Sequence, residues 1–117
     1  ECVLAIPWRD CLVGDPLRPA VHGGVLSMLV DTAGGAVCFS MLEGLDERVS
    51  TVDMRIDYLR PIASVDIVCH ASVVRMGNRV AVARMEVFGG EYPAPGTPER
   101  EEPVATGQAV YNVIRRR

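Results

Sequence analysis

The stretch "HGGVLSMLVDTAGGAVCFSML" (residues 22–42) decides the fold, because it is a long apolar run with a single acidic residue, Asp31. From Gly23 to Leu42 every other side chain is uncharged, and most are small or apolar. An ionised carboxylate in a packed core is unfavourable unless a partner pairs with it or a reaction uses it. We therefore expect Asp31 to be either paired or functional.

The length of this run is close to that of a membrane span. However, it carries an aspartate mid-way and the pair Gly34-Gly35, and no cluster of Lys or Arg flanks it. A helix that is apolar on nearly all sides is also typical of the buried central helix of a globular domain. We favour this second interpretation, in which the rest of the chain wraps the helix.

Residues 49–61, "VSTVDMRIDYLRP", predict a half-buried strand by their alternation. Apolar side chains occupy one face: Val52, Met54, Ile56 and Tyr58. Polar side chains occupy the other: Thr51, Asp53, Arg55 and Asp57. For Asp53, Arg55 and Asp57 we expect cross-strand ion pairs rather than catalysis.

Four further strands are predicted, at residues 2–8, 65–76, 79–88 and 103–114. The turn "MGN" (residues 76–78) makes a hairpin of the second and third of these. "GGEYPAPGTPEREE" (residues 89–102) predicts an exposed connection, and Arg115–Arg117 a solvated tail. With one early helix and consecutive strands afterwards, we predict a single α+β domain, residues 1–117, in which an antiparallel sheet of about five strands curls around one helix.

Composition limits the partners. The 117 residues suit one domain, and the net charge of −3 gives no basic excess for nucleic acid or anionic membranes. The four cysteines form no CxxC and no cluster with His22 or His70, so we predict neither zinc nor disulfides but reduced, mostly buried thiols in a cytoplasmic protein. Nothing resembles a signal peptide, although a chain that begins at Glu1 is expected to lack some N-terminal residues.

Two motifs, taken together, resemble a known family. The first is His-Gly-Gly (residues 22–24) with Asp31 nine positions after the histidine. The second is Thr/Ser-x-Asp-x-x-x-x-Tyr-x-x-Pro, which runs here from Thr51 to Pro61. In this order and spacing they resemble the hotdog-fold acyl-CoA thioesterases of the phenylacetate-degradation (PaaI-like) branch of the 4-hydroxybenzoyl-CoA thioesterase superfamily, over roughly residues 14–114.

The resemblance implies a curved antiparallel sheet around a central helix, a dimer that is often paired again into a tetramer, and hydrolysis of a CoA thioester without a further cofactor. One segment departs from the family pattern. Members commonly carry an asparagine about six residues before the histidine, whereas "GDPLRPAV" (residues 14–21) has Asp15-Pro16 near that position. An ionised aspartate cannot donate a hydrogen bond as an amide does.

The chemistry of the motif fits thioester hydrolysis, which needs donors at the developing oxyanion and an acid or base near the carbonyl carbon. Gly23 and Gly24 stand where a loop enters the helix, so their N–H groups lack intrahelical partners and the helix dipole favours negative charge. We assign the oxyanion contact to Gly23, with Gly24 as its neighbour; the resemblance implies the same residue.

Asp31 lies seven residues beyond Gly24 on the same helix, a separation of roughly 10 Å. That is too far for both to act on one carbonyl within one chain, so we expect a site shared between two antiparallel subunits. Asp31 then acts as nucleophile or as general base, which the sequence does not separate. The alternative is a structural aspartate that caps a backbone group.

The supporting residues are assigned less directly. The resemblance implies that Thr51 orients the water or the carboxylate, although a β-favouring threonine is the simpler interpretation. It also implies that His22 shapes the loop beside the substrate rather than acting as the base. Arg60 and Arg79 are the cationic candidates for the CoA phosphates, and His70 is expected to be a surface or packed residue.

Two other functions stay open. A hotdog domain can bind acyl-CoA without hydrolysing it, which the presence of both Asp31 and the Gly-Gly loop disfavours. Hydratases or dehydratases of acyl thioesters usually depend on a catalytic histidine in a different motif. The acyl group, and the choice between CoA and acyl carrier protein as thiol carrier, are not readable from the sequence.

Overall fold

The computed structural model of the protein describes residues 1–14, 17, 20–44 and 46–115. Gly23–Phe39 form the long helix, α1, within the predicted apolar run. The side chain of His22 caps its first turn, and the helix ends at Ser40. The face of α1 that packs on the sheet is buried and consists of Leu26, Leu29, Val30, Ala33, Gly34, Val37 and Cys38.

Five strands form one sheet, and their bounds are β1 (Cys2–Ile6), β2 (Arg48–Tyr58), β3 (Ile67–Met76), β4 (Val80–Gly89) and β5 (Ala105–Ile114). Their spatial order is β1-β3-β4-β5-β2, and every neighbouring pair is antiparallel. The predicted α+β fold is therefore confirmed, including the hairpin of β3 and β4. Strand β2 lies at one edge of the sheet, so one side of its backbone has no partner strand among the described residues.

The helix contacts β5 closely at two glycines. A Cβ on Gly107 would lie 2.8 Å from Val30 Cγ1 and 3.3 Å from the carbonyl oxygen of Arg55. A Cβ on Gly34 would overlap the hydroxyl of Tyr111, whose side chain is among the largest that are fully buried. The absence of these two Cβ atoms lets Val30 and Tyr111 interlock between helix and strand.

A β-bulge at Val52 alters the predicted faces of β2. Thr51 pairs with Tyr111, whereas Asp53 pairs with the preceding residue of β5, so Val52 has no residue opposite it. The alternation therefore shifts by one position: Thr51 and Met54 both face α1, while the side chain of Val52 is 65% exposed. The prediction that Val52 belongs to the apolar face and Thr51 to the polar face was wrong, because the inserted residue turns each to the other side.

The connection between β4 and β5 is more ordered than predicted. Pro98–Glu101 form a short 3-10 helix, and the ring of Tyr92 stacks on His70 at a centroid distance of 5.6 Å. His70 is buried on the sheet face opposite α1, in agreement with a packed role. Arg100 lies over the Tyr92 ring at 4.4 Å. The connection therefore covers part of the outer face of the sheet instead of being fully exposed.

The wrapping of α1 is less complete than the sequence suggested. The sheet covers one side, and on the other side Met28 and Phe39 are 56% and 58% exposed. No helix in the part of the chain that the structure describes is long and apolar enough to span a membrane.

The C-terminal arginines differ in part from the predicted solvated tail. Arg115 is only partly solvated, because its guanidinium pairs with Glu47 at 3.3 Å and donates to the carbonyl of Asn78. Arg116 and Arg117 lie outside the described residues.

All four cysteines are free, but only Cys38 and Cys69 are buried, whereas Cys2 is half-buried and Cys11 exposed. Burial raises the pKa of Cys69 to about 12, so this thiol is neutral at ordinary pH.

The contact between helix and β5 predicts that Gly107→Ala is destabilising. The new methyl group cannot fit against Val30 without a shift of helix or strand, and we expect a loss of about 1–3 kcal/mol in the free energy of unfolding, measured by urea titration. Gly89→Ala is the matched control, because a Cβ there would lie at ordinary contact distances, 3.4 Å and 3.5 Å from Ile62 and Val65. Equal stabilities of the two variants would contradict this account.

Candidate active site

The first turn of α1 has two exposed backbone N–H groups, those of Gly23 and Gly24, and only one of them is free. The Gly24 N–H donates to Nδ1 of His22 at 2.8 Å, so this donor is occupied. The Gly23 N–H donates to no other residue in the described part of the chain. Gly23 is therefore the residue whose N–H can bind an added oxyanion at the helix N-terminus.

Because Nδ1 of His22 accepts a hydrogen bond, it carries no proton, and the neutral ring has its proton on Nε2. The ring thus holds the loop that leads into α1. This geometry agrees with a loop-shaping role for His22 rather than that of a base. The segment 15–16, where the sequence departs from the family pattern, lies outside the described residues.

The carbonyl oxygen of Gly23 ties the helix start to the end of β2. It lies within hydrogen-bond distance of the hydroxyls of Tyr58 (3.1 Å) and Ser27 (3.2 Å). These two hydroxyls also hydrogen-bond each other at 2.6 Å, so two hydroxyl hydrogens are shared among three contacts. Tyr58 is the tyrosine of the second sequence motif, so a residue of that motif holds in place the helix start where the first motif lies. Ser27 was not singled out from the sequence, where one serine in an apolar run gives no signal.

Beside this turn lies an open cavity of about 310 Å³. Its lining is mainly apolar and consists of Val21, Gly23, Leu26, Tyr58, Leu59, Arg60, Pro61 and Ile62. Arg60 is the one cation among these residues, and it lies 3.7 Å from Glu102 in an exposed ion pair that contributes little to stability. Its charge is therefore available at the rim of the cavity.

The carboxylate of Asp31 is held between two strands. Thr51 on β2 donates to Oδ1 at 2.7 Å. The hydroxyl of Tyr111 on β5 lies 3.1 Å from the Asp31 carbonyl oxygen and 3.4 Å from Oδ1. Oδ2 accepts no hydrogen bond from a described residue, so one carboxylate oxygen is fixed and the other is free.

Tyr111 was missed in the sequence, because an aromatic residue in a β-strand is ordinarily a core residue. Burial, and then the negative charge of Asp31, raise the pKa of Tyr111 above its usual value. The hydroxyl therefore stays protonated and acts as a donor towards Asp31.

No cluster of His, Cys, Asp or Glu among the described residues could hold a metal ion.

The two halves of the site do not meet within one chain. Gly23 and Asp31 are eight residues apart on α1, a separation of about 12 Å along the helix axis. Arg60 lies near Gly23 in the lining of the cavity, whereas Arg79 stands at the turn between β3 and β4 and is not part of that lining. Within the protomer, the donor at the helix start and the carboxylate are thus separate features.

Comparison with known proteins gives a consistent result. The sequence pattern of the family described as the thioesterase superfamily matches residues 19–92, more than half of the chain. A Halobacterium salinarum protein named as an esterase is 38% identical over 98% of this chain and 75% of that protein. The medium/long-chain acyl-CoA thioesterase YigI of Escherichia coli is 35% identical over 75% of this chain. The match covers only 64% of that enzyme.

Solved structures agree with this family. A Bacillus halodurans protein crystallised with CoA is 25% identical, with a TM-score of 0.78 over 98% of this chain and 68% of that chain. A Shewanella oneidensis protein related to the thioesterase superfamily is 32% identical, with a TM-score of 0.76 over 96% of this chain and 75% of that chain.

The cap at the start of α1 predicts a specific effect of substitutions at His22. His22→Ala removes the acceptor of the Gly24 N–H and should lower the free energy of unfolding by about 0.5–2 kcal/mol, measured by urea titration. His22→Asn is the control, since its side-chain oxygen can accept the same bond and should retain most of the stability. A His22→Ala variant as stable as the wild type would show that the cap is unimportant.

Proposed function

The chain belongs to the thioesterase superfamily, and from this premise we propose that it hydrolyses an acyl-CoA thioester to a free acid and CoA. The observation that carries the proposal is the Asp31 carboxylate, whose Oδ1 is fixed by Thr51 and Tyr111 while Oδ2 is free. The names of the Escherichia coli relative and of the CoA-bound structure support the same substrate class. His-Gly-Gly and the Thr51–Pro61 motif support the PaaI-like branch.

In the proposed mechanism the thioester carbonyl oxygen accepts a hydrogen bond from the Gly23 N–H. Negative charge develops on this oxygen in the tetrahedral transition state, where the free donor and the positive end of the helix dipole stabilise it. Glycine at this position leaves the N–H open to the substrate. Gly24 and His22 hold the loop in shape beside the substrate.

Asp31 supplies the second function, by one of two routes. As a general base, it takes a proton from water while the water oxygen attacks the carbonyl carbon. As a nucleophile, it attacks that carbon itself, and water then hydrolyses the mixed anhydride. In both routes the C–S bond breaks and CoA leaves as a thiolate, which is then protonated. Thr51 keeps the carboxylate oriented for this step.

The separation of Gly23 and Asp31 leads us to propose a homodimer with two shared sites. The unpaired edge of β2 and the exposed apolar side chains of α1, Met28 and Phe39, are the surfaces that such a dimer would cover. A two-fold axis between antiparallel helices brings Gly23 of one subunit towards Asp31 of the other. Two dimers associating further would give the tetramer common in the family.

For the substrate we propose that the 310 Å³ cavity receives the thioester end of the pantetheine arm, since Gly23 lines it. Arg60 at its rim is a candidate for the CoA phosphates, and Arg79 of a partner subunit is a second. CoA is part of the substrate here, and the proposed reaction uses no further cofactor.

Asp31→Asn tests the proposal most directly. The amide cannot serve as base or nucleophile, so we expect kcat to fall by about 10²-fold or more, measured as free-thiol release from short, medium, long and aromatic acyl-CoAs. Asp57→Asn on β2 is the matched control, because Asp57 forms an exposed ion pair with Arg55, and it should retain wild-type turnover. Acyl-CoA binding without turnover by the wild type would instead favour a binding module.

Mixed dimers test the shared site. Gly23→Pro removes the oxyanion donor at the first helical position, where proline is well tolerated, and His22 before it already has the extended backbone that proline requires. We expect each of Gly23→Pro and Asp31→Asn to be inactive alone. Equimolar co-folded chains should recover about a quarter of the wild-type activity, because each heterodimer has one intact site. No recovery despite heterodimer formation would place the whole site within one chain.

A further inference from the structure

The hydroxyl of Tyr111 enters a gap in the side of α1 that only glycine leaves open. We propose that Tyr111 is a positioning residue for Asp31, and that Gly34 is the opening in the helix that admits its hydroxyl; the catalytic consequence rests on the proposed function. The hydrogen bond joins the last strand to the helix, and Tyr111 lies outside both sequence motifs.

The position of Gly34 points to this role. Glycine inside a helix costs about 1 kcal/mol relative to alanine, so its presence needs a local reason. A Cβ at Gly34 would overlap the Tyr111 hydroxyl and would lie 3.0 Å from Sδ of Met85. At the neighbouring Gly35 a Cβ would lie 3.7 Å from the Tyr111 ring, which is an ordinary contact. Only the first glycine of the pair is required by the tyrosine.

The contacts of Asp31 show how the tyrosine acts. Thr51 and Tyr111 are directly opposite each other on the paired strands β2 and β5. The Thr51 hydroxyl donates to Oδ1 of Asp31 at 2.7 Å. The single hydrogen of the Tyr111 hydroxyl is shared between the Asp31 backbone carbonyl at 3.1 Å and the same Oδ1 at 3.4 Å. Asp31 is thus held both at its side-chain Oδ1 and at its backbone carbonyl, and these contacts restrict the rotation of the carboxylate. Oδ2 is then the oxygen directed away from these partners.

The charges around the hydroxyl favour the same arrangement. The titratable groups that act on Tyr111 are Asp31 and Cys38 on α1 and Cys69 on β3. Burial raises the pKa of both thiols and of the Tyr111 hydroxyl, so all three groups stay protonated at neutral pH. The hydroxyl is therefore a donor beside the carboxylate and not a second anion that would repel it.

Tyr111→Phe tests the inference while the ring stays in the core. We expect kcat to fall about tenfold with KM within about twofold, because the lost contact acts on the reactive group and not on substrate binding. Gly34→Ala should show the same pattern by displacing the hydroxyl, and Gly35→Ala is its matched control with unchanged kcat.

A second readout does not depend on turnover. The side-chain rotamer of Asp31, measured by NMR from the three-bond couplings of its Hβ protons and assigned by comparison with Asp31→Asn, should be single in the wild type and averaged in Tyr111→Phe. If the wild type hydrolyses no acyl-CoA, the proposed function fails, and these couplings still decide the positioning role. Equal couplings in the two proteins, or a Tyr111→Phe variant that loses stability but keeps the wild-type kcat, would overturn the inference. If Tyr111→Phe does not fold, the same couplings in Gly34→Ala decide.

Discussion

The close approach of the helix to the last strand is the constraint on which the rest of the structure depends. It occurs where two glycines, Gly34 on α1 and Gly107 on β5, leave space for Tyr111 and Val30. Both glycines are unfavourable for their own element, since one weakens a helix and the other a strand. The packing they permit offsets that cost and brings Asp31 within hydrogen-bond distance of the sheet. Core packing and the candidate site are thus one arrangement.

A second constraint comes from the rigidity of the helix. Gly23 and Asp31 lie on one continuous α1, so no side-chain movement can bring the free N–H and the free carboxylate oxygen together. Each protomer therefore contributes two separate half-sites to the proposed chemistry, the Gly23 N–H and the Asp31 carboxylate. A partner subunit that supplies the complementary groups would have to bind at the open side of the helix and the unpaired edge of β2. In the proposed dimer, assembly would be required for activity, because the proposed site would be complete only between two chains.

Much of this could be predicted from the sequence, and the failures have physical causes. The helix, the strands and the hairpin could be predicted, because each has a local signal. These signals are the apolar run, the strand alternation and the turn at Gly77. The Thr51–Asp31 contact is consistent with the family resemblance, but the face of Thr51 was mispredicted because a bulge is an extra residue inside an otherwise regular pattern. Tyr111 could not be found, since its contact with Asp31 spans 80 residues of sequence.

The bulge at Val52 has a further consequence for how β2 behaves as an open edge. An exposed strand of eleven residues is a template onto which unrelated chains can add, which is a route to aggregation. The bulge interrupts the regular spacing of its backbone groups, and Arg55 and Asp57 add charges beyond it. A straight foreign strand therefore fits the edge poorly. The same extra residue that turns Thr51 towards Asp31 makes the edge selective about which strand it accepts.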